Sequence, residues 1–242
     1  MKVTGMQEQT KFGISIVVPC SKARLEALSD GVIAIVLTIL VFNLKLPSQD
    51  NSTTSMDLAI DLLGLWPNLL TFAISFFLVA IYWSAHHSIF YWLRMTNLKF
   101  VWLNFHFLFW LCLIPFSTSM VGKYERDWLA LSLYGGNLIL IGISLFLMVL
   151  YSCSERRLVD PQMPVELVRF AVFRCLFAPA MYLIAIFSAP FWTTITLILY
   201  TLIPIFYIMP GFHQWWLRFL NVCPDSVVLS KTQNDFRTSK EE

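Results

Sequence analysis

Arg24, Glu26, Ser29 and Asp30 run without interruption into Gly31-Val32-Ile33-Ala34-Ile35-Val36-Leu37-Thr38-Ile39-Leu40-Val41-Phe42. Ionisable and hydroxyl groups thus stand at the head of an apolar run of membrane length. An ionisable group at the edge of hydrocarbon is costly unless it has a partner or lines water. The cluster therefore marks a working site, and the helix it heads is the candidate to line a pathway. The chemistry this offers is the lining of a pathway rather than bond making. No Ser/His/Asp set, H-E-x-x-H pair or nucleotide-binding loop is present.

Arg24 and Asp30 are six positions apart, about 120° around a helix, so they cannot form a local pair. Their partners must come from other helices: His86 and His87 at the end of a second segment, Asn104 and His106 near the start of a third, Arg174 near the start of a fifth. Ser29 is expected to cap backbone donors at the helix start, where Asp30 would complement the helix dipole. Such a network would either anchor the helix at the interface or clamp its base and so control a pathway. Protonation of His86 or His87 near neutral pH would bias it. Adjacent histidines diverge by about 100° and cannot share one metal ion, so no metal and no cofactor are expected.

On the helix itself, Gly31, Ile35, Thr38 and Phe42 fall within about 60° of one another, with Ile39 at the edge of the stripe. Several copies around an axis would stack rings of these side chains. Apolar rings gate by dewetting, and hydroxyls between them coordinate a dehydrated ion. An apolar stripe is equally what any packed membrane helix presents, and a Thr hydroxyl can bond its own backbone.

The elements that position these groups are all helical. Of 242 residues 57% are hydrophobic and only 13% charged, against about 25% charged in soluble domains. A span needs roughly 20 apolar residues, and six segments qualify: about 25–46, 58–84, 98–120 (with Pro115), 128–153, 167–188 and 191–210. Residues 1–23 are read as a cytoplasmic N-terminal segment, 24–220 as a six-helix transmembrane unit and 221–242 as a polar, disordered tail. Of the 17 Lys and Arg, all but Lys45, Lys123 and Arg126 then fall on one side, so both termini are expected in the cytoplasm. Trp66, Trp128 and Trp192 belong to the outer aromatic belt, and Trp83, Trp102, Trp215 and Trp216 to the inner one. Cys20, Cys112, Cys153, Cys175 and Cys223 show no disulfide framework. Asp30 and the missing small-residue cleavage site argue against a signal peptide. Scattered basic residues at a net charge of +2 predict no nucleic-acid partner. Tyr134-Gly135-Gly136 reads as a close-packing site rather than a Thr-Val-Gly-Tyr-Gly filter.

Arg24, Ser29 and Asp30, followed by the helix ending Phe42-Asn43-Leu44-Lys45-Leu46-Pro47, resemble the R-x-x-x-F-S-D signature of the transmembrane protein 175 family, the prokaryotic relatives of the endosomal and lysosomal potassium channel. Leu65-Trp66-Pro67, Tyr82-Trp83 with His86-His87, Trp102-Leu103-Asn104 and Leu113-Ile114-Pro115-Phe116 agree in order. The likeness covers about residues 22–152 well and the last two helices loosely, and Leu28 stands where the family has Phe. The resemblance implies six helices per subunit, a homotetramer in the cell membrane, and potassium ions passing a central pore lined by the first helix. It places constricting layers at Ile35, Ile39 and Phe42, with Thr38 as a polar layer between them. A secondary transporter is the alternative, but no inverted repeat is evident; a membrane-embedded enzyme ranks third.

Overall fold

The computed structural model describes residues 21–44, 55–124, 126–154, 158–160, 163 and 165–209, apart from the side chains of residues 55, 57, 61 and 166. The polar loop at Ser48–Ser55, most of the charged loop 154–164, the N-terminal segment, the tail, Cys20, Cys223, Trp215 and Trp216 lie wholly or largely outside those residues.

Among the described residues the chain is all-helical apart from one isolated bridge between Leu93 and Val159. The first helix, α1, spans Lys22–Ile39 and tightens into a 3-10 turn over Leu40–Asn43. Next come α2 (Ser55–Gly64), α3 (Trp66–Trp92), α4 (Leu98–Cys112), α5 (Ile114–Lys123), α6 (Trp128–Ser154), α7 (Val165–Ser188) and α8 (Thr193–Ile208). Five of the continuous or once-broken helical stretches are long and apolar enough to cross a membrane; Thr193–Ile208 is apolar but shorter.

Two of the expected segments are differently divided. The segment expected at 58–84 is two helices that part at Leu65, because Pro67 occupies the first turn of α3 and α2 ends at Gly64; α3 then continues eight residues further than expected, to Trp92. The segment at 98–120 is broken at Leu113, two residues before Pro115. A proline lacks the N–H that a continuing helix needs and clashes with the preceding turn, yet it suits the first turn of a new helix.

In the interior, α6 is the hub, packing against α3, α4, α5, α7 and α8. Its contact with α7 is close because it is built on glycine. A Cβ on Gly142 would stand 2.5 Å from Pro179 Cγ of α7, and one on Gly135 would stand 2.8 Å from Ile186 Cγ1 of α7 and overlap the Tyr200 hydroxyl of α8. The expected packing role therefore holds for Gly135, whereas Gly136 faces open space. The loop after α6 is pinned to the end of α3: Arg94 N–H donates to Leu158 O at 2.7 Å and Asp160 N–H to Trp92 O at 3.1 Å.

Candidate functional site at the base and face of the first helix

Ser21 caps α1, its hydroxyl accepting from the Arg24 N–H at 3.3 Å. This corrects the expectation for Ser29. The helix starts a full two turns earlier than a Ser29 cap requires, so Ser29 sits mid-helix and its hydroxyl donates to Leu25 O at 2.9 Å. Asp30, likewise, is too far along to meet the terminal dipole, which falls off within the first turn.

Leu25, Ser29, Ile33, Val36 and Leu40 form the buried face of α1, recurring every three or four residues and turned toward α3 and α4. Ser29 is fully buried there, and so are Asn104 on α4 and His86 on α3. The Asn104 amide nitrogen donates to Ser29 Oγ at 2.9 Å, and Asn104 Oδ1 lies 2.8 Å from His86 Nε2. Because Ser29 already donates to its own helix, the chain of bonds has one direction: His86 Nε2–H donates to Asn104, Asn104 to Ser29, Ser29 to Leu25 O. His86 Nε2 therefore carries the hydrogen. Its Nδ1 has no hydrogen-bond partner among the described residues. The imidazole stacks on Phe107, with centroids 5.1 Å apart and planes 14° apart, and lies 4.5 Å from Phe90. Three helices are thereby fixed at one level by two side-chain hydrogen bonds.

A second, exposed cluster flanks this triad. The Trp83 indole N–H donates to Asp30 Oδ1 at 2.9 Å. The Trp83 ring stacks on His87 at 5.5 Å, and His87 Nδ1 is 3.7 Å from Glu26 Oε1. The anticipated single network is thus two. His86 and Asn104 join Ser29 in the interior, while His87 joins Asp30 only through Trp83. Arg24 belongs to neither; its side chain is exposed. His106 and Arg174 are also not partners of Asp30. His106 Nδ1 lies 2.8 Å from Ser144 Oγ on α6, and its Nε2 accepts from the Trp110 indole. Arg174 lies over the Tyr207 ring at 5.8 Å. The expectation failed for both because each points from its own helix away from α1. Trp83 and Glu26 were missed as partners, although their four-residue spacings to His87 and Asp30 put each pair on one helix face.

Opposite the buried face, α1 is uncovered. Ile35 is 58% exposed, Ile39 43% and Phe42 71%, and Thr38 and Gly31 are exposed with them. The Thr38 hydroxyl donates to Ile35 O at 2.8 Å, leaving its lone pairs on the uncovered face. Phe42 lies in the 3-10 turn, where residues three apart eclipse. It therefore stands over Ile39 rather than over Ile35, a shift from the register that uniform 100° steps predict. The turn is held by Leu40, which is buried, and by the Asn43 amide donating to Pro115 O at 3.1 Å. The first turn of α5 thus supplies the carbonyl that fastens the far end of α1. Leu28, the departure from the family signature, is 45% exposed at the other end.

Fold and site together define a polytopic helical membrane protein whose N-terminal helix is fastened at both ends and bare along one side. The family model described as the endosomal/lysosomal potassium channel TMEM175 matches residues 24–115, which include both clusters and the bare face. The potassium channel of Chamaesiphon minutus is 32% identical over 165 residues, 67% of this chain and 81% of its own length. That of Chryseobacterium sp. (strain P1-3) is 38% identical over 124 residues, 51% of this chain and 61% of its own length. The crystal structure of a lysosomal potassium-selective channel TMEM175 homolog from Chamaesiphon minutus superimposes with a TM-score of 0.67 at 28% identity, covering 77% of this chain and 95% of that one. The chain belongs to the TMEM175 family.

Proposed function

We propose that this chain is one subunit of a passive, potassium-permeable cation channel, in which four copies meet at an axis and their first helices line the pore. The supporting observation is the two-sidedness of α1. One face is locked to α3 and α4 by the Ser29–Asn104–His86 chain, while the other presents Ile35, Thr38, Ile39 and Phe42 to whatever lies outside the subunit. A pore-lining helix needs that combination, since its diameter must be held from behind. The relatives named above are potassium channels, which favours potassium as the permeant ion. In this reading each subunit contributes six spans across the cell membrane, with residues 1–23 and 221–242 in the cytoplasm and no cofactor. Ile35 and Ile39, with Phe42 outermost, form the narrow apolar layers, and Thr38 offers oxygen to a dehydrated ion.

The transporter alternative would use a helix break at midplane to bind substrate. Past the break at Leu113, the first turn of α5 packs against the end of the first helix instead, where the Pro115 carbonyl receives Asn43. Single-channel recording from purified protein in a planar bilayer under a potassium gradient tests the reading. Discrete potassium currents, altered in amplitude or selectivity by Ile35→Asn, are expected. Saturable coupled flux, or currents that Ile35→Asn leaves unchanged, would overturn it.

A further inference from the structure

Arg174 is unusual for its place. It lies seven residues inside the apolar stretch Leu167–Ser188, about 10 Å along the helix from its start. Among the described residues no carboxylate comes within ion-pair distance of it, and its recorded contact is the Tyr207 ring, whose hydroxyl donates to Arg174 O at 2.8 Å. A charged side chain within a span pairs, lines water or marks a binding site.

Arg174 also lines a cavity of about 390 Å³ bounded by the ends of α3 and α6, the first half of α7 and the segment around Val159. Its walls are largely apolar, with Ile89, Val149, Leu167, Phe170 and Ala171 among them, and its size falls in the range of small-molecule sites. The basic groups Arg94 and Arg169 belong to the same end of the bundle, at the close of α3 and the start of α7. Side chains on a helix lean toward its N-terminus, so Arg174 extends toward that end, the one nearest the membrane surface. The cavity's wall therefore combines a largely apolar lining with an arginine to which no carboxylate among the described residues is bonded. A molecule that fits has an acyl chain and an anionic head, and the source at hand for a membrane-embedded chain is the surrounding leaflet.

We infer that the α3–α6–α7 cavity holds one acyl chain of an anionic phospholipid, whose phosphate is bound by Arg174. His87, which meets Glu26 of α1, is part of the cavity's wall, but the proposal does not depend on the conduction reading. The lipid fills a void between α7 and α3 and neutralises a charge that no carboxylate among the described residues pairs.

Native mass spectrometry of the delipidated protein, titrated with phosphatidylglycerol or phosphatidylcholine of the same chain length, tests this. Phosphatidylglycerol should bind the wild-type protein at least about fivefold more tightly, what one basic group is worth near a charged leaflet. Arg174→Leu should erase the difference and Arg174→Lys should retain most of it. Ala171→Phe, which fills the chamber, should weaken both lipids. Equal affinity of the two lipids for the wild-type protein would overturn the inference without recourse to any variant. So would displacement of phosphatidylglycerol by millimolar inorganic phosphate, which would assign the charge to a headgroup-only site. Unchanged lipid binding in folded Ala171→Phe would likewise place the acyl chain elsewhere.

Discussion

The buried triad makes a prediction that separates hydrogen bonding from mere packing. Asn104→Leu removes the acceptor of His86 Nε2–H and the donor to Ser29, at a level where all three residues are fully buried. A buried donor left unsatisfied costs about 1–3 kcal/mol. Side-chain hydrogen bonds inside membranes average about 0.6 and reach about 1.7 kcal/mol, because the unfolded chain in lipid also finds partners. Two lost bonds therefore amount to about 1–3 kcal/mol. His86→Phe keeps the stack on Phe107 and Phe90 but leaves Asn104 Oδ1 without its donor, for about 1–2 kcal/mol. The double variant has no orphan: Phe replaces the imidazole, Leu the amide, and Ser29 still donates to Leu25 O. Its loss should be no larger than that of Asn104→Leu alone, giving a coupling of about 1–2 kcal/mol. The assay is reversible unfolding in mixed micelles by SDS titration, followed by tryptophan fluorescence at fixed protein concentration. Additive losses in the double variant would refute the reasoning, since they would mean that the two side chains act independently.

Gly142→Val should destabilise by about 1–3 kcal/mol, the usual cost of overpacking, because the rigid Pro179 ring cannot give way; Gly136→Ala, facing open space, should be neutral in the same unfolding assay. Trp83→Phe should cost about 0.5–1.5 kcal/mol by removing one hydrogen bond to Asp30, whereas Glu26→Gln should change stability by less than about 0.5 kcal/mol, as for other exposed ion pairs. A larger effect of Glu26→Gln than of Trp83→Phe would reverse the order of importance within the exposed cluster.

Much of this was legible in sequence, and the boundary of legibility is physical. The five long apolar helices were visible because a bilayer demands such lengths, and α6 lies within one residue of its expected range for that reason, whereas the sixth expected span corresponds to the shorter helix Thr193–Ile208. The stripe of α1 was visible because 100° steps are a property of the backbone, up to Ile39; the 3-10 turn that moves Phe42 leaves no mark on an all-apolar run. Ser29, Asp30, His86, His87 and Asn104 were recognisable as polar groups that needed partners. Which group met which was not, because pairing depends on helix rotations set by tertiary packing. Hence Trp83, treated as an interfacial aromatic, proved to be the donor to Asp30, and His106 proved to serve α6. The Ser29 cap failed for a nearer reason: Ser21 lies in a polar stretch before the apolar run, where the start of the helix gave no hydrophobic signal.

The central claim, that the bare face of α1 lines an aqueous ion path, is tested most directly by cysteine substitution in a cysteine-free background. Ile35→Cys and Val36→Cys are adjacent in sequence, yet the first side chain is uncovered and the second buried. Potassium currents through Ile35→Cys channels should be blocked by a charged, water-soluble methanethiosulfonate, while Val36→Cys channels should conduct unaltered. Block at Val36→Cys with none at Ile35→Cys would turn the helix around and contradict the account.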